Sequence, residues 1–244
     1  MRLARSRRFA RVVLLVTCGV LLVGRVALAE VPLRVAVAAN FVATAEQLRE
    51  AFGHELLTVH PGATGQLYAQ IRQGAPYDFF LSADSVTAER LADEGLAVVP
   101  PQVYAVGRLA LWSPGHKAPE LSHLPTRLVQ ADPKLAPYGA AAEQCVKKLA
   151  PAWQGQWLKG TSVSQAHQML ASGAASAGFV AWSQVLHAPR EQWRLLPVSC
   201  HARLAQKAVW LKRGAQHPQA QAFWQFLSSS KARKLIAKAG YVAP

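Results

Sequence analysis

Short apolar runs alternate with amphipathic helical segments through nearly the whole of this 244-residue chain, and four of the junctions carry small or hydroxyl-bearing residues at a helix start. They are Ala39-Asn40-Phe41, Gly62-Ala63-Thr64-Gly65, Ala136-Pro137-Tyr138-Gly139 and Gly160-Thr161-Ser162-Val163. The alternation confines the chain to an α/β fold. The junctions add a chemical constraint. First-turn N–H groups have no partner inside their helix, and the aligned peptide dipoles make that end partly positive, so an oxyanion binds there without lysine or arginine. One such start carries no information, since every helix has one. Two in each half of the chain point to a shared cleft.

The N-terminus is read as a targeting segment. Arg2, Arg5, Arg7, Arg8 and Arg11 precede an apolar run from Val12 to Val23, and Ala27-Leu28-Ala29 offers small residues for cleavage, the pattern of a secretory signal over 1–29. The run is too short and wrongly flanked for a membrane span. Ser6-Arg7-Arg8 matches part of a twin-arginine signal, but Ala10 stands where a large apolar residue is required. Cys18 follows Thr17, a poor context for lipid attachment beside the better site downstream. Six arginines and no acids lie in this segment, leaving +8 of the formal +14 for the exported part. That excess is scattered, as in Lys147-Lys148 and Lys212-Arg213, so it reads as solvated faces that draw anions in from a distance. Nucleic acid is not an expected partner.

About 215 exported residues suit two small lobes or one larger domain. Strands are expected over Leu33–Ala39, Glu55–Val59, Asp78–Ser82, Arg127–Ala131, Ala177–Trp182 and Ala208–Leu211, with Val103–Trp112 as one longer apolar run leaving the first lobe. Helices are expected from Asn40 through Phe52, through Leu67–Arg72, over Val86–Glu94, Tyr138–Leu149 and Ser162–Ala171, and between Pro218 and Ala239. Cys145 and Cys200 either form one disulfide in an oxidising compartment or sit as two small buried residues. The eight histidines have no metal-type spacing, and the seven tryptophans read as packing. No Gly-x-Ser-x-Gly elbow or Ser-His-Asp set argues for a hydrolase, so no catalytic residue, metal ligand or cofactor is expected.

Three further segments join these junctions: Gln73-Gly74-Ala75-Pro76-Tyr77-Asp78-Phe79-Phe80-Leu81-Ser82-Ala83-Asp84, Gly178-Phe179-Val180-Ala181-Trp182-Ser183-Gln184 and Gln206-Lys207-Ala208-Val209. With Val35-Ala36-Val37-Ala38-Ala39-Asn40-Phe41, Gly62 to Leu67 and Ala131-Asp132-Pro133 to Gly139, in that order and spacing, they make the chain from Val31 to Val242 resemble the periplasmic molybdate-binding proteins of bacterial ABC importers. The resemblance implies an α/β, two-lobed periplasmic binding protein fold with two hinge crossings and a ligand cleft between the lobes. Lobe 1 would be 30–104 plus 209–244 and lobe 2 105–208. It implies a monomer that holds molybdate or tungstate in the periplasm and passes it to an inner-membrane permease. By carry-over, Asn40 would offer its side-chain amide and backbone N–H, Thr64 its hydroxyl and N–H, and Tyr138 and Val163 backbone N–H groups, with Ala39 a further backbone candidate. Ala39, Ala63-Thr64 and Ala181 differ from common members, which carry a hydroxyl residue, a serine pair and, in some, a tyrosine ligand there.

Each residue also has a plain structural role open to it. Asn40 fits a helix cap, Thr64 a turn, Tyr138 a packed first-turn aromatic and Val163 an ordinary helical position. Asp78 and Asp84 look catalytic but read as structural groups at strand ends. Alternative functions are a sulfate or phosphate carrier on the same fold, a secreted hydrolase, and a sensor that signals to a membrane partner. Phosphate would require an acceptor carboxylate, for which Asp132 is the one close to the cleft junctions in sequence.

Overall fold

The computed structural model describes residues 31–242. The expected signal peptide, with Cys18 and Ser6-Arg7-Arg8, lies outside the described residues. Among these residues, no helix is long and apolar enough to cross a membrane.

Two five-stranded mixed sheets carry the fold. In the first, β1 (Leu33–Ala38) lies between and parallel to β2 (Leu57–Gly62) and β3 (Phe79–Leu81). The strand β10 (Ala205–Trp210) runs antiparallel between β3 and β4 (Gln102–Val106). The second sheet repeats the plan: β6 (Arg127–Ala131) is parallel to β7 (Gln156–Gly160) and β8 (Ala177–Ala181), and β5 (Leu109–Trp112) is antiparallel to β8 and to β9 (Trp193–Leu195). Central strands such as Phe79–Leu81 and Ala177–Ala181 are buried throughout, as parallel strands covered on both faces must be.

Helices α1 (Val42–Phe52), α2 (Thr64–Arg72) and α3 (Ser85–Asp93) follow β1, β2 and β3, with a 3-10 turn over Ala39–Phe41 ahead of α1. Helices α4 (Pro137–Leu149), α5 (Val163–Ala171) and the short α6 (Trp182–Val185) follow β6, β7 and β8, while α7 (Ala220–Leu227) and α8 (Ser230–Lys238) return to the first sheet. Helix α8 packs on α1, and Phe223 of α7 meets Phe79 and Phe52 edge to face. Each strand therefore delivers its following helix start to the same edge of its sheet.

The apolar run from Val103 to Trp112 is not one strand. Gly107 and Arg108 divide it: the first part pairs with β10 and the second with β8, so the chain crosses between sheets here. Gly107 N–H donates to the Leu204 carbonyl on the return crossing, which ties the two passages together. The strands β7 and β9 were not expected. Both lie at sheet edges, and β7 is half-exposed with Lys159 and Gln156 in it, so neither shows an apolar run.

Asp78 and Asp84 have structural partners. The Asp78 carboxylate accepts the Arg34 N–H at 2.8 Å, and Asp84 caps α3 by accepting from Thr87 N at 2.8 Å. Cys145 of α4 and Cys200 are bonded across a Cα separation of 4.6 Å, fastening α4 to the segment that leads into β10. The loop they close spans 55 residues, for which chain entropy gives a stabilisation of roughly 4 kcal/mol. The Cys145→Ser, Cys200→Ser double variant is expected to lose about that amount in chemical denaturation under oxidising conditions; an unchanged midpoint would mean the bond constrains nothing in the unfolded chain.

Candidate functional site

All five residues expected at the site meet in one place. A tight cavity of about 10 Å³ between the two sheets is lined by Ala38, Ala39, Asn40, Ala63, Thr64, Ala83, Ala136, Pro137, Tyr138, Ser162 and Val163. Except for Ala83, these are the cap and first-turn residues of four helical starts. Ala38, Ala63 and Ala136 stand at the cap positions of the turn before α1, of α2 and of α4, and none makes a side-chain cap bond. Helix α5, also at the cavity, is capped by Ser162, and α3 and α8 are capped by Asp84 and Ser229. A capping oxygen would consume a first-turn N–H and present a lone pair to the cavity. Alanine does neither.

What remains free can be counted start by start. In α4, Pro137 has no N–H and Gly139 N–H goes to the Ala136 carbonyl, which leaves Tyr138. In α2, Gly65 N–H donates across the cleft to the Leu135 carbonyl at 3.0 Å, which leaves Thr64 on the cavity wall. In α5, the Ser162 hydroxyl takes Gln165 N–H, which leaves Val163 and Ser164, of which Val163 lines the cavity. The N–H groups of Asn40, Thr64, Tyr138 and Val163 have no partner among the described residues. The Thr64 hydroxyl accepts Ala83 N–H at 3.3 Å, so its own proton is available to the cavity.

The Asn40 side chain does something other than its expected role. Its amide nitrogen gives both hydrogens away from the cavity, to Gln206 Oε1 and the Tyr241 hydroxyl, each at 3.1 Å. Gln206 also receives the Tyr104 hydroxyl at 3.0 Å and donates through Nε2 to the Tyr138 hydroxyl at 3.3 Å. Tyr241 donates to the Asn40 carbonyl at 2.7 Å. This fully buried network joins the two sheets behind the cavity and was missed in the sequence, where only an uninterrupted polar Gln206 in an apolar strand hinted at it. Ala181, at the end of β8, is buried and does not line the cavity.

Among the described residues, no Lys, Arg, His, Asp or Glu lines the cavity. Asp132 is turned to the Lys134 N–H at 2.9 Å and is not part of the wall. Burial holds the Tyr104 and Tyr138 phenols well above the ordinary value, with neighbouring Tyr241 adding to it, and lifts Tyr241 to about 12. All three are neutral at physiological pH, so the site is a set of donors with no net charge. A larger open groove of about 830 Å³, with Leu121, Leu149 and Trp153 on its wall, lies at the carbonyl end of α4. That helix end is partly negative, which disfavours an anion.

Two α/β lobes closing on a cavity of helix starts define a binding protein for a small solute. The comparisons with known proteins agree. The family profile for bacterial extracellular solute-binding proteins matches residues 33–242. Two relatives, each called "Molybdate-binding protein ModA", are 40% identical: one from Rhodobacter capsulatus over 219 residues, covering 85% of this chain and 86% of the relative, and one from Azotobacter vinelandii over 229 residues, covering 85% and 88%. The solved structure of the Azotobacter vinelandii periplasmic molybdate-binding protein superposes with a TM-score of 0.80 at 36% identity, over 87% of this chain and 99% of that one. The chain belongs to the bacterial extracellular solute-binding protein family.

Gly107 is the glycine this site depends on, since a Cβ there would overlap the Tyr138 hydroxyl and lie 2.8 Å from Gln206 Nε2. Gly107→Ala is expected to weaken ligand binding by at least tenfold, about 1.4 kcal/mol, while circular dichroism of the free protein stays that of the wild type. Unchanged affinity in a calorimetric titration would show that the Tyr138 hydroxyl need not dock at the crossing.

Proposed function

We propose that this chain is an exported monomer that captures molybdate, and tungstate through the same contacts, and delivers it to an inner-membrane ABC importer from the periplasm. One observation carries the reading: among the described residues, four uncommitted first-turn N–H groups and the hydroxyls of Thr64 and Ser162, each accepting a backbone N–H and free to donate, line a small cavity with no charged side chain. The direct donors in this reading are the N–H groups of Asn40, Thr64, Tyr138 and Val163 and the Thr64 hydroxyl, with Ala39 contributing wall and backbone. The Asn40 amide supports the site from behind.

Hydrogen bonds to a charged partner contribute roughly 1.5–3 kcal/mol each. Five of them bracket the roughly 12 kcal/mol of nanomolar binding. A wall of donors without a carboxylate acceptor favours a fully deprotonated dianion over protonated phosphate. The chemistry required is capture and release, with no bond made or broken and no cofactor. We assign lobe 1 to the first sheet and lobe 2 to the second, the chain passing out between Val106 and Leu109 and back between Leu195 and Ala205, a few residues from the expected 104 and 208. Signal cleavage near Glu30 completes the reading.

Calorimetric titration with molybdate, tungstate, sulfate and phosphate tests it. The reading predicts tight one-to-one binding of the first two alone, weakened roughly ten- to hundredfold by Thr64→Ala as one charge-assisted bond is lost. Silence toward molybdate, or an equal response to sulfate, would defeat it.

The pH dependence follows from the phenols. Their folded pKa values lie above the unfolded value of 10, so the stability gained by burying them neutral is intact below pH 10 and lost as pH rises through about 12. Ionising Tyr138 would also set a negative charge beside the anion. Affinity is therefore expected to stay level from pH 6 to 9, and a titrating step inside that window would reveal a protein group at the site other than these.

A further inference from the structure

The Ala39–Asn40 peptide is gripped from the opposite lobe. The Ser164 hydroxyl, in the first turn of α5, donates to the Ala39 carbonyl at 2.9 Å. Ser164 Oγ in turn accepts from Gln184 Nε2 at 3.1 Å, and Gln184 Oε1 accepts the Ala181 N–H at 3.1 Å. A hydroxyl has one proton, and with a donor already pointed at its oxygen that proton is committed to the remaining acceptor. Gln184 thereby sets the direction of the Ser164 hydroxyl, and β8 sets Gln184 through a backbone bond.

The consequence lies in the peptide group. Ala39 C=O and Asn40 N–H belong to one trans peptide plane and point in opposite directions. Fixing the carbonyl on Ser164 fixes the direction of the N–H, and this N–H has no other partner among the described residues. On the far side of Asn40, its own carbonyl accepts the Tyr241 hydroxyl at 2.7 Å, and Ser183 of lobe 2 lies 3.0 Å from that hydroxyl. The loop that carries Asn40 is a 3-10 turn without a side-chain cap, so no side chain of its own segment holds its first peptide.

We propose that Ser164, oriented by Gln184, is a positioning residue for anion binding: on closure it locks the Ala39–Asn40 peptide so that the Asn40 N–H faces the ligand. The inference rests on the anion-binding reading given above. Because Ser164 and Ala39 sit on different lobes, the donor is set only when the cleft is shut. An open protein would then bind the anion weakly, and a closed one would release it slowly.

The test compares wild type, Ser164→Ala, Ser164→Thr, Gln184→Ala and the Ser164→Ala, Gln184→Ala pair by stopped-flow tryptophan fluorescence with molybdate and by thermal unfolding without it. Loss of a neutral hydrogen bond predicts that Ser164→Ala releases molybdate about tenfold faster, with the association rate and the ligand-free unfolding midpoint near wild type. Ser164→Thr, which keeps the hydroxyl, should restore slow release. Gln184→Ala should change release in the same direction and add little in the pair, as residues acting through one bond do. Release unchanged in Ser164→Ala overturns the proposal. So does a loss matched by a fall in the ligand-free midpoint and not rescued by threonine. Wild type that ignores molybdate but binds tungstate, sulfate or phosphate removes the molybdate reading alone, and the release comparison with that anion then decides the role of Ser164. Silence toward all four overturns both.

Discussion

The backbone N–H groups left over at helix starts are the constraint on which this molecule turns. A buried donor without a partner costs about as much as a lost hydrogen bond, so four of them converging on one cavity need an acceptor. Most proteins supply it locally with serine, threonine, asparagine or aspartate at the cap. Here Ala38, Ala63 and Ala136 decline that role at three of the four starts around the cavity, and Ser162 fills it at the fourth. The proposed anion replaces the missing caps for several helices at once. Its two negative charges are spread over dipoles and not met by a cation, so desolvated ion pairs and their cost are avoided.

Such a site needs two lobes. Helix starts from a single sheet edge face the same way and cannot enclose a solute. A second sheet with the same plan supplies Tyr138 and Val163 from the other side. The lobes then need contacts that form on closing without filling the cavity. Gly65 provides one by bringing its N–H against the Leu135 carbonyl, where a Cβ would sit 3.2 Å from that oxygen. The Asn40–Gln206–Tyr138 network provides another at the crossings, with Tyr104 and Tyr241 neutral by burial. A buried network of this kind stabilises only when every member is paired, so it rewards one closed geometry and penalises near misses.

Much of the fold was legible in the sequence, because β1, β3, β6 and β8 are short buried runs and the intervening helices have a clear apolar period. What was not legible depends on distant partners. The break at Gly107 answers the Tyr138 hydroxyl and carries no turn signature of its own. The strands β7 and β9 are edges whose pairing, not their composition, makes them strands. At the site, cap positions and first turns could be read from residue order, which is why Ala39, Asn40, Thr64, Tyr138 and Val163 meet in one cavity. The direction of the Asn40 amide could not, since its partners Gln206 and Tyr241 lie 166 and 201 residues away. Nor could the grip of Ser164 on Ala39, across 125 residues.

The most direct test of the account is diffraction at the molybdenum absorption edge from crystals of the protein grown with molybdate. The account predicts one strong anomalous peak in the cavity between the sheets, with oxygens about 2.7–3.2 Å from the N–H groups of Asn40, Thr64, Tyr138 and Val163 and with no lysine or arginine in contact. A peak on the basic surface, or in the cavity but held by the Asn40 amide in place of these backbone groups, would contradict it.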